Sequence, residues 1–406
     1  MTEAPSQPTA ILDLLRQFPD YRTLWFGTIA TQGAQWVLQV ALGWLMLELT
    51  DSELWVGMIG FAGGLPMVLV SVPSGVLIDR RNRRTILIVC QAALLLMSIV
   101  LTVMVLGDVI KAWHLLAAAA VNGALLTLNN LTRQTLLVAT IPRGDLASGI
   151  ALQSAGQNAT RIVGPSLAGV LIGLVGTAGA FGFQSVLLLG AMVLSVTGLT
   201  SLRNSSPRAS SGGILDGFGI IWNSPVLRGL MALATVPMLI VFPYLSLMPV
   251  YARDILDIGP QGLGLLMAAS GVGAVLGALI VVRIARMPHN GWFMLASTMG
   301  YSAVVLGFAY STYVPLSMLM LALGSLTGSA YMSLNNSLLQ LQVDDNVRGR
   351  VMGVYMLTWG LMPLGSLPMG IAADMMGAPH AIAAGAVISA VLTAILAWRS
   401  PALRAL

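Results

Sequence analysis

Residues 55–106 read WVGMIGFAGGLPMVLVSVPSGVLI, then DRRNRR, then TILIVCQAALLLMSIVLTVMVL. Two uncharged apolar runs, 55–78 and 85–106, flank a turn made of Asp79, Arg80, Arg81, Asn82, Arg83 and Arg84. A bilayer core about 30 Å thick takes roughly 20 apolar residues per helix. The stretch therefore reads as two membrane helices joined by a short basic turn. The same ruler gives twelve spans, numbered here in chain order: 24–47, 55–78, 85–106, 115–140, 150–173, 180–201, 229–250, 261–282, 291–311, 315–339, 351–373 and 378–398. Together they hold two formal charges, Arg133 and Arg161. Barrel strands would alternate with period two over about ten residues, and no such pattern occurs. The expected fold class is an all-α membrane protein.

Composition agrees. Of 406 residues, 57% are hydrophobic and 9% charged, with a mean hydropathy of +0.86; soluble domains average about 25% charged. A cytosolic enzyme, a secreted disulfide scaffold and a disordered chain are excluded. The lone Cys90 forbids an internal disulfide and any Cys-based metal cluster. Residues 1–23, with Pro5, Pro8 and Pro19, are polar and lead straight into span 1. They do not read as a cleavable signal peptide.

Loop charge sets the expected orientation. With both termini cytoplasmic, the inner side holds Arg16, Arg22, Arg80, Arg81, Arg83, Arg84, Arg143, Arg203, Arg208, Arg228, Arg283, Arg286, Arg348, Arg350, Arg399 and Arg404. The outer side has only Lys111 and Arg253, beside the acids Glu48, Asp51, Glu53, Asp108, Asp254, Asp257 and Asp374. The basic excess is thus a topology signal, and no nucleic-acid partner is expected.

The longest inner connection, 202–228, lies at mid-chain, and the flanking halves match. Phe18-Pro-Asp-Tyr-Arg-Thr-Leu24 resembles Ser224-Pro-Val-Leu-Arg-Gly-Leu230; Gly75, Arg81 and Arg84 recur as Gly277, Arg283 and Arg286; Gly164, Gly169 and Gly176 recur as Gly365, Gly370 and Gly377. Six spans is an even number, so the halves share a topology and form a parallel repeat. The expected domains are a bundle at 1–201, a cytoplasmic linker at 202–228 and a second bundle at 229–406.

The turn after span 2 carries more than topology. Gly75-Val-Leu-Ile-Asp79-Arg80-Arg81-Asn82-Arg83-Arg84 resembles the signature loop of the major facilitator superfamily, Gly-x-Leu-x-Asp-Arg-x-Gly-Arg-Arg/Lys. Gly75, Leu77, Asp79, Arg80, Arg83 and Arg84 fall in register. Asn82 replaces the turn glycine, a departure rationalised by the ease with which Asn enters left-handed φ/ψ. The resemblance implies two six-helix bundles and a cytoplasmic latch in which Asp79 docks on the start of span 11, near Arg348 and Arg350. The arginines alternatively do no more than fix topology. Asn346-Val-Arg348-Gly-Arg350-Val-Met-Gly opening span 11, Pro-x-x-Arg before span 1, and Arg161 before Gly164-Pro165 look most like bacterial exporters of the enterobactin-exporter and macrolide-efflux kind.

Span 5 places Gln153, Gln157 and Arg161 four apart, on one stripe. Arg161 lies about 16 Å into the span, near the midplane, where a charge marks a substrate or ion path or ties the helix to a neighbour through amides and carbonyls. Gly164-Pro165…Gly169 resembles the Gly-Pro element of exporters, which implies a kink and close packing of helix 5 on helix 8. Span 1 carries Gln32, Gln35 and Gln39 on one face with Trp36 beside it; span 4 carries Asn122, Asn129 and Arg133; span 10 ends in Asn335, Asn336 and Gln340. The resemblance implies that spans 1, 4, 7 and 10 line a central cavity. Polar residues in lipid also act as helix–helix glue. Arg133, about 10 Å from the inner end of its span, can snorkel and reads as structural. Span 7 holds Pro237, Pro243 and Pro249, which free backbone carbonyls for bending or for a static kink.

Nothing enzymatic emerges, and no cofactor is expected. His114, His289 and His380 have no ligand spacing, and no phosphate-binding loop or cytoplasmic Lys is present, so ATP is not expected to drive the chain. The expected function is secondary transport by alternating access in the bacterial plasma membrane: export of amphipathic, drug- or siderophore-like small molecules driven by a proton or other ion gradient. The chain is expected to act as a monomer. An uptake carrier and a transport-inactive receptor are the alternatives. No acid lies within a span, and Glu48 and Asp374 sit where water reaches. Coupling then rests on an anionic substrate group held by Arg161, or is weak.

Overall fold

In a computed structural model describing residues 13–142, 144–199, 214–284 and 290–404, every regular element of the described residues is helical. Pro5, Pro8, Arg143, Arg203, Arg208, Arg286 and His289 fall outside these residues, as do the side chains of Asp79 and Arg283. Among the described residues, ten helices are long and apolar enough to cross a membrane. One of them, Leu146–Gly198, runs 53 residues across both predicted spans 5 and 6. At 1.5 Å per residue that is roughly 80 Å, more than twice a bilayer core. Gly176 interrupts it with φ 71° and ψ −179°, a conformation that only glycine adopts at low cost. Predicted span 1 lies in Pro19–Thr50, a 32-residue helix outside those ten; Thr28, Thr31, Gln32, Gln35 and Gln39 dilute its apolarity.

Local chemistry sets the helix ends. Asn82 accepts from the backbone N–H of Arg84 (2.9 Å) and Thr85 (3.4 Å) and so caps helix Arg83–Leu106. Its φ of −65° is extended, not left-handed, which corrects the reason given above for Asn in the turn: it is there as a cap. Ser224 caps Pro225–Ile240 in the same way, with proline in the first turn. Gly377 (φ 85°) stands between predicted spans 11 and 12 as Gly176 does between 5 and 6. Asp51 and Asp257, both at φ 50°, stand after spans 1 and 7. Asp is among the few side chains that enter this region readily.

By contact the chain falls into two compact units, Met1–Ala41 with Pro66–Arg208, and Leu42–Leu65 with Ala209–Leu406. The hairpin 42–65 thus groups with the C-terminal helices, although by chain position it belongs to the first half. The second half of the linker also carries structure, helix Ile214–Asn223. In the first unit Leu14, Tyr21, Leu24, Leu87, Leu136, Leu137, Ile141, Leu152 and Leu199 form one cluster; Ala34, Leu94 and Leu188 form another. The second unit is built around Leu230, Leu233, Leu334, Leu338, Leu339, Val351 and Leu403. Large apolar side chains such as Leu96, Val103, Leu106, Leu174 and Val186 point outward, as lipid-facing positions should.

Small residues let helices approach where lipid offers no hydrophobic drive. A Cβ at Gly273 would lie 1.9 Å from the Ala322 carbonyl oxygen, and one at Gly277 2.2 Å from that of Leu326. Spans 8 and 10 therefore touch backbone to backbone.

Candidate transport pathway and gates

The polar residues of the first unit are mostly occupied with each other. Asn122 Nδ2 donates to Gln35 Oε1 at 3.0 Å, tying span 4 to span 1. Arg133 is 4% exposed and does not snorkel. Its Nε donates to Asn129 Oδ1 (2.9 Å), Nη1 to the Leu24 carbonyl (3.2 Å) and Thr28 Oγ1 (3.1 Å), and Nη2 to Thr31 Oγ1 (3.0 Å). The guanidinium is aimed across at span 1, where Gly27 leaves it room: a Cβ there would meet Nη1 at 3.2 Å. Snorkelling fails because four oxygens within reach already replace water.

Spans 1 and 5 share a seam. Tyr21 donates to the Gly149 carbonyl (2.8 Å) and Trp25 Nε1 to that of Leu152 (3.0 Å). Gly164 seats Trp36, whose Cβ would be 2.6 Å from an added methyl. Pro165 and Gly169 are buried one step further along. Arg161 is half-buried and engaged in a polar contact. Gln32 is half-buried and Gln39 exposed.

In the second unit Asn335, fully buried, donates to the Leu230 carbonyl at 2.9 Å and ties span 10 to span 7. Asn336 accepts from Gln340 Nε2 (2.5 Å) and is half-buried. The prolines break span 7: an α-helix ends at Ile240 after Pro237, a 3-10 segment Phe242–Leu247 opens with Pro243, and a π-turn Tyr251–Ile255 closes the run. The carbonyls set free are covered by glycines. A Cβ at Gly365 would lie 2.0 Å from the Leu239 oxygen and 2.6 Å from Pro243 Cγ; one at Gly385 would lie 2.9 Å from the Ile240 oxygen.

The hairpin 42–65 is seated on this broken region. Gly57, Gly60 and Gly64 face Gly370, Ser366 and Pro363 of span 11, with a Gly57 Cβ placed 2.8 Å from Gly370 Cα. Ser52 donates to Asp374 Oδ1 at 2.9 Å. Arg253 reaches the Leu47 carbonyl (3.0 Å) and pairs with Asp51 and with Asp254. Glu53 lies at the centre: it takes the backbone N–H of Ala378, faces Asp374, Asp254 and Tyr251, and leaves Oε2 buried without a partner. Sequence reasoning counted Glu53 only among the outer-side acids and missed this. The signal that was available is the spacing of Gly57, Gly60 and Gly64, which puts three bare positions on one helix face. Glu48 and Asp374 are exposed as expected.

At the basic turn, Gly75 has open space around it and Arg80 is exposed. Arg83 is half-buried, and Arg84 donates to the Val196 carbonyl. Arg348 Nη2 donates to the Val343 carbonyl (3.4 Å), and Arg350 Nη1 pairs with Asp216 at 3.7 Å. The side chain of Asp79 lies outside the described residues.

The described helices are those of a multi-span membrane chain, one span broken by prolines and one hairpin seated on glycines. The family model described as transmembrane secretion effector matches residues 14–405, and the chain belongs to that family, of the major facilitator type. It is similar to the multidrug efflux pump Tap of Mycolicibacterium fortuitum, 27% identical over 395 residues covering 94% of this chain and 95% of that protein. It is also similar to the staphyloferrin A transporter of Staphylococcus aureus, 22% identical over 347 residues covering 84% and 86%. A solved bacterial homolog to the human lysosomal transporter Spinster, in an inward-facing and unoccupied conformation, shares the fold with a TM-score of 0.73 at 14% identity, over 95% of this chain and 98% of that one.

Proposed function

We propose that the chain is a secondary transporter that exports amphipathic small molecules, of drug or siderophore type, across the bacterial plasma membrane by alternating access. Its two sequence halves act as a parallel repeat of six spans each, with both termini cytoplasmic and one chain as the working unit. Repeated backbone geometry supports the repeat: Gly176 matches Gly377, and Asp51 matches Asp257. The efflux and siderophore relatives support the substrate class.

The observation that carries the reading is the seated hairpin. Leu42, Trp44, Leu45, Met46, Leu47 and Val56 are buried in it, but its face on span 11 is lined by Gly57, Gly60 and Gly64 and its turn is held by exposed polar links, so no large side chain of the hairpin interlocks with span 11 there. A gate needs that property. The latch of Gly75, Asp79, Arg80, Arg83, Arg84, Arg348 and Arg350 closes the opposite side in the other state. Gln32, Gln39, Arg161 and Asn336, which keep free surface or midplane charge, face the substrate; Gln35, Asn122, Asn129 and Asn335 hold the walls. Pro237, Pro243, Gly164, Pro165 and Gly169 supply the bending and packing.

Coupling falls to Glu53, which precedes span 2. A bare, buried carboxylate oxygen is costly, so the seated hairpin favours the neutral acid, and release into water favours the ion. That difference between states is what a coupling proton requires. In proteoliposomes with an imposed proton gradient, uphill drug movement is expected for the native chain, with Glu53→Gln reduced to downhill exchange. Absence of any gradient-driven flux in the native chain, with exchange intact, would leave a facilitator.

A further inference from the structure

A sealed polar layer crosses the first unit, and its register follows from the two clusters that bound it. Leu24, Leu87, Leu136, Leu137 and Leu199 pack together on one side. Four residues along each helix from these lie Thr28, Gln91, Thr132, Arg133 and Ser195, at one level in spans 1, 3, 4 and 6. Further along the same helices, Ala34, Leu94 and Leu188 close the other side, beyond Thr28, Gln91 and Ser195 respectively, with Leu125 against them. Thr31 and Asn129 complete the layer. Every member is at most 4% exposed.

The layer carries one full positive charge and no acid. No Asp or Glu occurs in residues 21–47, 80–107, 109–144 or 146–215. Arg133 has five N–H donors; four reach the neutral oxygens of Asn129, Leu24, Thr28 and Thr31. The hydroxyls of Thr132 and Ser195 are spent on the carbonyls of Leu128 and Ala191. Gln91, fully buried, has no partner for Nε2 or Oε1, and Asn129 Nδ2 has none either. The unused hydrogens on Gln91 Nε2, Asn129 Nδ2 and Arg133 Nη2 outnumber the acceptors left in the layer, Gln91 Oε1 and the hydroxyl oxygens of Thr132 and Ser195. An enclosed charge needs a counter-charge or loses several kcal/mol of solvation. A water molecule would satisfy part of the hydrogen bonding and leave the charge uncompensated; an anion answers both.

We propose that this layer holds one small monovalent anion of halide size, chloride in the cell, between Arg133, Gln91 and Asn129. The site is separate from the transport pathway and serves the bundle of spans 1, 3, 4 and 6. The ion would be taken up as the bundle assembles, so its effect is on the stability of the folded state.

The test uses the full-length purified protein in detergent, initially in sodium gluconate. Unfolding is followed by tryptophan fluorescence while chloride or bromide replaces gluconate at constant ionic strength. A saturable rise in Tm of about 5 °C is expected for both halides, the size that ligand linkage gives at about a hundred times Kd. Gln91→Glu places the counter-charge within the chain and is expected to lose the halide dependence while keeping at least the halide-saturated Tm. Arg133→Gln is expected to lose the dependence as well; should it fail to fold, Gln91→Glu alone decides. No halide-specific rise in the native chain, or one that persists undiminished in Gln91→Glu, overturns the proposal and leaves buried water or a surface salt effect.

Discussion

Spans 1 and 7 stand at matching places in the two sequence halves and differ in the continuity of their backbones. Span 1 is part of an unbroken 32-residue helix, held laterally by side chains: Arg133 on Leu24, Thr28 and Thr31, Asn122 on Gln35, and Trp36 against Gly164. Span 7 is cut by Pro237 and Pro243, and neighbouring glycines cover its freed carbonyls. Side-chain ties fix a helix in one register. Such ties reach span 7 as well, Asn335 on Leu230, Tyr331 on Ala234 and Tyr251 on Ala309, but its helical ladder is interrupted between Ile240 and Met248, which gives it a point at which to pivot. One half thus supplies a rigid wall and the other a hinge.

Four changes would break or sharpen that contrast. The largest effect is expected for Gly365→Leu, because its Cβ would lie 2.0 Å from the Leu239 carbonyl and neither backbone can yield. Loss of the monodisperse peak in detergent gel filtration is expected, while Gly190→Ala, with open space around it, keeps that peak. Next comes Arg133→Leu, which removes four hydrogen bonds from the bundle interior and leaves Asn129 Oδ1 there without its donor. It should cost on the order of 3 kcal/mol, read as a clear drop in Tm, and Arg133→Lys should recover only part, since an ammonium lacks the planar fork. Pro237→Ala restores a backbone donor and straightens the hinge; flux should fall roughly tenfold, a barrier change of about 1.4 kcal/mol, with Tm unchanged or higher. The smallest effect belongs to Gln35→Ala, which removes one neutral tie worth about 1 kcal/mol and should lower Tm by a few degrees.

Much of the fold was legible because membrane helices announce themselves by what they lack. Apolar runs almost free of charge marked the membrane helices, and Gly176 and Gly377, picked out as a repeated pair, both have positive φ. The candidate site was less legible. Thr28 and Thr31 look like ordinary helix residues until Arg133 is seen reaching across to them. Glu53 directly follows the loop residues Asp51 and Ser52 and reads as one more outer-side acid, because sequence alone does not say that the hairpin 42–65 is seated on span 11. Arg133 and Arg161 look alike in sequence; only their surroundings separate the enclosed tie from the half-buried charge on the polar stripe.

Hairpin release is the central claim, and the link between Ser52 and Asp374 offers a direct handle on it. Their side chains meet at 2.9 Å at an exposed position, and the single native Cys90 is buried. Ser52→Cys with Asp374→Cys, in a Cys90→Ala background, should cross-link on mild oxidation. Drug flux in proteoliposomes should then stop and return to the uncross-linked rate on reduction. Undiminished flux with the cross-link intact would contradict the account, since transport would proceed with the hairpin still seated.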